Sequence, residues 1–347
     1  MAKTKRKIFA VLSIVTVIVL IVGLDAVYSL YTDYYRVGFK ETTELYIYPD
    51  TKPSEVLETL EAVAYHPSSL RRSFARQDVE GTLKPGHYTV KPVYTAVFVS
   101  RMLSAGWQTP VNLVLSGTLR TKGELARKIS RQMMIDSASV IRAFNDTSIL
   151  HKYGREKDQV FAMFMPDTYE MYWTAGMEDI FDVQKKALDT FWTPDNVALA
   201  MRQGLTSFEA TILASIVKGE SNYEPEYPSI AGVYLNRLHS GMKLQADPTV
   251  AFCFGYTLNR ILRGHLKYDS PYNTYKNAGL PPAPICVPTK ACLEAVLHPD
   301  PHKYMFFCAS PAFDGTHVFA KSFAEHQKNA RAFQKELNAR QKAKAGK

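Results

Sequence analysis

Residues Ile8 to Leu24 carry no charge, and only Ser13, Thr16 and Gly23 interrupt their apolar character. At about 1.5 Å per helical residue the run spans roughly 26 Å, slightly short of a bilayer core. Ala26, Val27 and Leu30 extend it past Asp25, and Tyr28, Tyr31, Tyr34 and Tyr35 supply an aromatic belt. The pattern predicts one transmembrane helix over 8–30, with Lys3, Lys5, Arg6 and Lys7 holding residues 1–7 in the cytoplasm. A cleaved signal peptide has a similar pattern, but no small-x-small cleavage site follows the run. No other segment is long and apolar enough to span a membrane.

Beyond Tyr35 the periods shorten. Glu44 to Tyr48 alternates, Pro49-Asp50 turns, and Val56, Leu57 and Leu60 follow Pro53 and Ser54 at helical spacing. This predicts strand, turn and helix over 44–62. Residues 111–130 repeat the plan, with Val111 to Leu115 alternating in part, Ser116-Gly117 turning, and a helix through Leu125 and Ile129. Between them Leu83 to Val90 reads as a turn leading into a strand. Farther on, Thr206-Ser207-Phe208-Glu209 is a capping box. It opens a helix on which Leu213, Ile216, Val217 and Glu220 share one face. Ser229 to Ser240 predicts a second helix, with Ile230, Val233, Tyr234 and Leu238 on one side, beginning after Pro228 and ending at Gly241. The expected fold class is α+β behind a single membrane helix.

Glu220 is the position with chemical content. A carboxyl group on an apolar face loses water, and desolvation disfavours its charged form. An acid that stays protonated near neutral pH can give a proton to a leaving-group oxygen. A snorkelling or salt-bridged acid near a helix end produces the same spacing. Around this helix lie loops dense in Asn, Gln, Tyr and Thr, which suit a hydroxyl-rich ligand such as a glycan and are equally ordinary as solvated surface.

Charge narrows the partners. Of the net +9, the four cations at Lys3 to Lys7 supply four, and Arg331 to Lys347, less Glu336, supply five. The body of the chain is neutral, so no basic stripe remains for a nucleic acid. The C-terminal run reads as a solvated helix end with a frayed tail. Cys253, Cys286, Cys292 and Cys308 match no common zinc spacing. They allow three disulfide connectivities, and buried free thiols are the default. No metal and no cofactor is expected.

The segments from Ala214 onward resemble those of the endolytic murein transglycosylases, the MltG (YceG-like) family. The matching pieces are Ala214 to Glu220, Ile230-Ala231-Gly232-Val233 with Asn236-Arg237-Leu238, Gly241-Met242 with Leu244-Gln245, Asp247-Pro248-Thr249-Val250, Tyr272-Asn273-Thr274-Tyr275, and Gly279-Leu280-Pro281-Pro282, with Pro166 to Tyr169 upstream. They follow one another in the family's order. Two positions depart from its pattern: Lys218 and Phe161 stand where the family often has acids. Residues two apart on a helix do not face each other, so Lys218 is expected to disturb Glu220 little.

The resemblance implies a LysM-like region over 40–150 and a catalytic domain over 151–340. It implies that Glu220 is the single catalytic acid of a lytic transglycosylase cutting within peptidoglycan strands; a muramidase using water and a non-catalytic glycan-binding assembly factor are the alternatives. Asn236, Gln245, Asp247, Asn273, Thr274 and Tyr275 are then expected to contact sugar. Asp247 takes a structural or positioning role. The implied partners are peptidoglycan glycan strands, the inner membrane and, through proximity, peptidoglycan synthases. Gly219, which costs about 1 kcal/mol in a helix relative to Ala, is expected to leave room for a sugar chain.

Overall fold

The computed structural model describes residues 2–345, with side chains over 6–343, so those of Lys3, Lys5, Lys344 and Lys347 lie outside the described residues. Contacts group the chain into two compact units, Met1–Asn112 with Glu170–Thr174, and Leu113–Tyr169 with Ala175–Lys347. The expected LysM-like region, 40–150, extends past the first of these borders.

The first unit begins with α1 (Ala2–Tyr35), a helix whose apolar stretch is exposed along its length. Its length and hydropathy suffice to cross a membrane, as a signal sequence's also would. The helix does not end free. Thr32 and Asp33 are buried, and Asp33 pairs with Arg72 and Arg76 on α3 (Pro67–Arg76) and accepts from Ser69 Oγ at 2.6 Å. Strand β1 (Thr43–Ile47) pairs antiparallel with β2 (Gly86–Val90), Leu45 opposite Tyr88. Between them lie α2 (Pro53–Val63) and α3, each with proline in its first turn, where no backbone N–H is needed. With α4 (Ala96–Ala105) these elements enclose Leu45, Ile47, Leu60, Leu70, Tyr88 and Val99.

The second unit is mostly helical. A short helix α5 (Lys122–Ser130) forms behind a capping box at Thr121 and Glu124. The core is built from α6 (Ser207–Glu220), α7 (Tyr227–His239), the short α8 (Asp247–Cys253) and α9 (Lys290–Leu297). Leu213, Ile216, Val217, Ile230, Tyr234, Leu293 and Val296 meet in one cluster. A hairpin of β3 (Phe306–Ala309) and β4 (His317–Ala320), registered Phe307 to Phe319, leads into α10 (Phe323–Ala345). The α7 helix begins at Tyr227 rather than Ser229, because Pro228 falls within its first turn, where proline is tolerated. All four cysteines are free, and Cys286 and Cys292 are buried.

Two glycines are fixed by close packing. A Cβ on Gly219 would stand 2.6 Å from Pro248 Cβ, so this glycine lets α6 approach the start of α8. That corrects the expectation that it clears a path for sugar. A Cβ on Gly232 would stand 3.1 Å from the Asp300 carbonyl oxygen. Here α7 lies against the segment that leads to the hairpin.

Candidate active site

Glu220 is the last residue of α6. The capping box at its other end fixes where the helix starts: Thr206 N–H donates to Glu209 Oε2 at 2.8 Å, and Glu209 N–H donates to Thr206 Oγ1 at 3.2 Å. Thirteen residues on from Ser207, the helical period delivers Glu220 to the edge of the core, half-buried. Its Oε1 accepts a hydrogen bond from the Tyr234 hydroxyl on α7. No cation pairs with it among the described residues within 4 Å.

Burial raises the pKa of Glu220 to about 7. The Tyr234 hydroxyl works the other way, since it favours the carboxylate; the Asp247 charge raises the value further and Arg237 lowers it. Lys218 plays no visible part. Its Nζ turns away, toward the Asn222 side chain and the Tyr227 hydroxyl, each 3.2 Å off.

Glu220 lines a cavity of about 390 Å³ together with Tyr234, Arg237, Gln245, Asp247 and Tyr275, closed on another side by Phe306 and Phe307 of β3. It also borders a second hollow, of about 550 Å³, with Tyr223, Phe313 and Thr316. Glu220, Ala309 and His317 belong to both. The acid therefore borders two hollows at once, and its carboxyl group is reachable from both.

The expected sugar contacts divide into two sets. Gln245, Asp247 and Tyr275 line the groove with Glu220. Gln245 adopts a left-handed backbone (φ 50°), sustained by its N–H bond to the Thr274 carbonyl at 3.2 Å. Tyr275 donates to Asp247 Oδ1 at 2.6 Å.

Asn236, Asn273 and Thr274 do not reach it. Asn236 Nδ2 donates to the carbonyls of His302 and Tyr304, at 3.0 and 2.9 Å. Asn273 is fully buried and donates to the carbonyls of Leu266 and Tyr268. Thr274 Oγ1 accepts from Ala246 N–H at 3.0 Å, beside Thr249. These three brace loops, because buried backbone carbonyls and amides need partners wherever no helix or sheet supplies them. Thr274 thereby shapes the groove indirectly, through the segment that carries Gln245 and Asp247.

Residues not singled out from the sequence complete the site. Arg237 is buried and held by the carbonyls of Met305, Lys243 and Leu244, its guanidinium 5.1 Å from the Phe306 ring centroid. Glu226 accepts from both His317 N–H and His317 Nδ1 at 2.8 Å, which fixes the hairpin to the start of α7. His326 of α10 borders the groove, and burial lowers its pKa. Tyr234 and Arg237 were visible in the sequence only as a face residue of α7 and as part of the matching piece Asn236-Arg237-Leu238, without a site role. Phe306 and Phe307 of the hairpin had no signal there, because they reach the site only through long-range packing. Among the described residues no cluster of His, Cys, Asp and Glu could hold a metal ion.

Comparison with known proteins places the chain in a family. The model of the YceG-like family matches residues 45–332. The chain is 40% identical over 154 residues to the endolytic murein transglycosylase of Bacillus subtilis, a stretch covering 44% of this chain and 42% of that protein. It is 28% identical over 169 residues to the protein of the same name from Streptococcus pneumoniae, covering 47% of this chain and 30% of that one. The match thus spans less than half the length of either relative. The crystal structure of a YceG-like protein from Listeria monocytogenes shares the fold, with a TM-score of 0.54 and 24% identity over 83% of this chain and 98% of that one. With a family match over most of its length, the chain belongs to the YceG-like family.

Proposed function

We propose that the chain is a membrane-anchored lytic transglycosylase that cuts peptidoglycan strands internally, at the bond between N-acetylmuramic acid and N-acetylglucosamine. The observation that carries this reading is Glu220: one acid whose pKa burial raises to about 7, lining two hollows at once. A strand that enters at one end and leaves at the other is cut from within. The relatives named endolytic murein transglycosylases support the substrate and reaction class.

The chemistry follows from the protonation state. Below pH 7 Glu220 is an acid and gives its proton to the glycosidic oxygen as that bond breaks. The resulting carboxylate then takes the proton of the muramic C6 hydroxyl as that oxygen attacks C1, closing a 1,6-anhydro ring. The sugar is its own nucleophile, at an effective concentration equivalent to several kcal/mol of barrier. Tyr234 sets which oxygen does this. With the phenol donating to Oε1, Oε2 is the oxygen left to carry the acid proton. Burial keeps Glu220 protonated, and the charge of Asp247, itself held by Tyr275, adds to that. Gln245 and the Phe306 and Phe307 rings are the sugar contacts.

In the first unit, the antiparallel pair β1 and β2 with α2 and α3 between them supports a LysM-like reading. That unit would hold the strand near the membrane, where α1 anchors the chain with its N-terminus in the cytoplasm. Release of nascent strands there places the enzyme beside peptidoglycan synthases.

Digestion of purified sacculi in heavy-oxygen water tests the reaction. The expected products end in 1,6-anhydro-N-acetylmuramic acid and contain no label. Labelled reducing ends as the main product would establish a muramidase, with Asp247 positioned to activate water. Disaccharides appearing first would refute internal cutting alone.

A further inference from the structure

Four arginines from distant parts of the sequence gather round the last turns of α1. Arg72 and Arg76 of α3 pair with Asp33, at 2.6 and 3.2 Å. The Arg76 and Arg101 guanidinium carbons lie 5.7 and 6.0 Å from the Tyr34 ring centroid. Arg36 folds back along the helix and donates to the Tyr28 hydroxyl at 3.1 Å. Asp33 offsets one of the four charges, and Asp25 lies about two turns lower, roughly 12 Å along the axis. Arg36 and Arg101 are exposed and, among the described residues, have no acidic partner within 4 Å.

The position of this collar is set by the helix it surrounds. The apolar run reaches Leu30, and the first buried residue is Thr32. If the run occupies the hydrocarbon layer, residues 28–36 lie at the level of the lipid phosphates. Tyr28, Tyr31 and Tyr35 are exposed there, as interfacial tyrosines are. Guanidinium groups match phosphate oxygens in geometry and remain charged at every working pH.

We propose that this arginine collar binds the phosphates of anionic phospholipids on the non-cytoplasmic side and seats the first unit directly on the bilayer surface. The proposal rests on α1 being a retained membrane anchor. It adds a second, headgroup-specific contact to it. The Asp33 pairs and its bond from Ser69 tie α3, which carries two of the arginines, to the end of α1.

The test uses the full chain in vesicles of phosphatidylcholine mixed with phosphatidylglycerol, with bound lipids measured by native mass spectrometry after release. Flotation with the vesicles reports the anchor, and enrichment of phosphatidylglycerol reports the collar. The informative variant is R36Q/R101Q, because both side chains are exposed and unpaired; Arg72 and Arg76 brace Asp33 and are left in place. Juxtamembrane cations contribute about 1 kcal/mol each, so the double variant should bind phosphatidylglycerol roughly 30-fold more weakly while floating as before. The lysines near the N-terminus also attract anionic lipid, and they are unchanged in this comparison. Equal phosphatidylglycerol retention by both proteins overturns the collar and leaves the anchor standing. Failure of the wild-type chain to float overturns the anchor and the collar with it.

Discussion

The end of α6 and the turn before α7 each present a glutamate, six residues apart, and the two have opposite surroundings. Glu226 receives two donors from His317, one from the backbone and one from the ring, and both of its oxygens are occupied. Glu220 receives one phenol, faces the Asp247 charge, and is pushed to about pH 7 by burial. Donors on both oxygens hold a carboxylate in place as a brace. Burial with a single neutral donor leaves one oxygen free to carry a proton that can be given away. The acid proposed to react is the less well satisfied one, as perturbed groups often mark functional sites.

The largest expected effect separates these two directly. E220Q should reduce cleavage of sacculi by on the order of a thousandfold or more without loss of fold. The folded protein binds the Glu220 proton more tightly than the unfolded chain does. The stability this confers is complete below about pH 4.5 and is lost as pH rises through about 7. At pH 8 E220Q should therefore be more stable than wild type, by on the order of 1–3 kcal/mol, and melt at a higher temperature. E226Q should do the reverse, costing roughly 1–3 kcal/mol as the charge-assisted bonds to His317 are lost, with much of the activity retained per folded molecule. Equal loss of cleavage in a well-folded E226Q would end the distinction.

A smaller effect probes what keeps Glu220 protonated. In D247N the neighbouring negative charge is gone, so the pKa of Glu220 should fall below about 7. The alkaline limb of the pH–rate profile should move to lower pH, and activity at pH 7 should drop by about tenfold or less. An unmoved limb with activity as low as that of E220Q would make Asp247 a reacting group.

The smallest effect concerns the polar residues. Q245A should raise KM a few-fold, on the order of 1 kcal/mol of lost binding, at unchanged melting temperature. N236A should lower the melting temperature, since two backbone carbonyls lose their donor, at unchanged KM. An exchange of these outcomes would place Asn236 in the groove and Gln245 outside it.

Much of this protein was decided locally. A charge-free run of apolar residues can do little in water but form a helix that seeks lipid or protein. The capping box at Thr206 and Glu209 closes within one turn, and the period from Leu213 to Glu220 follows from 3.6 residues per turn. Such features depend on neighbours a few residues apart, so the sequence displays them directly. The acid's place at the edge of an apolar face was legible for that reason.

Its surroundings were not. Tyr234 comes from the next helix, Asp247 from α8 and the aromatic wall from the β3–β4 hairpin, and only packing decides which side chains meet. The same holds for Gly219, whose reason is Pro248, and for Asn236, Asn273 and Thr274, whose amides and hydroxyl are consumed by backbone groups that local structure leaves unpaired. Four arginines spread over 66 positions form one collar only because α3 and α4 pack on the end of α1. Covalent neighbours set the period and the caps; burial and charge at a site are sums over atoms that the chain brings together only on folding.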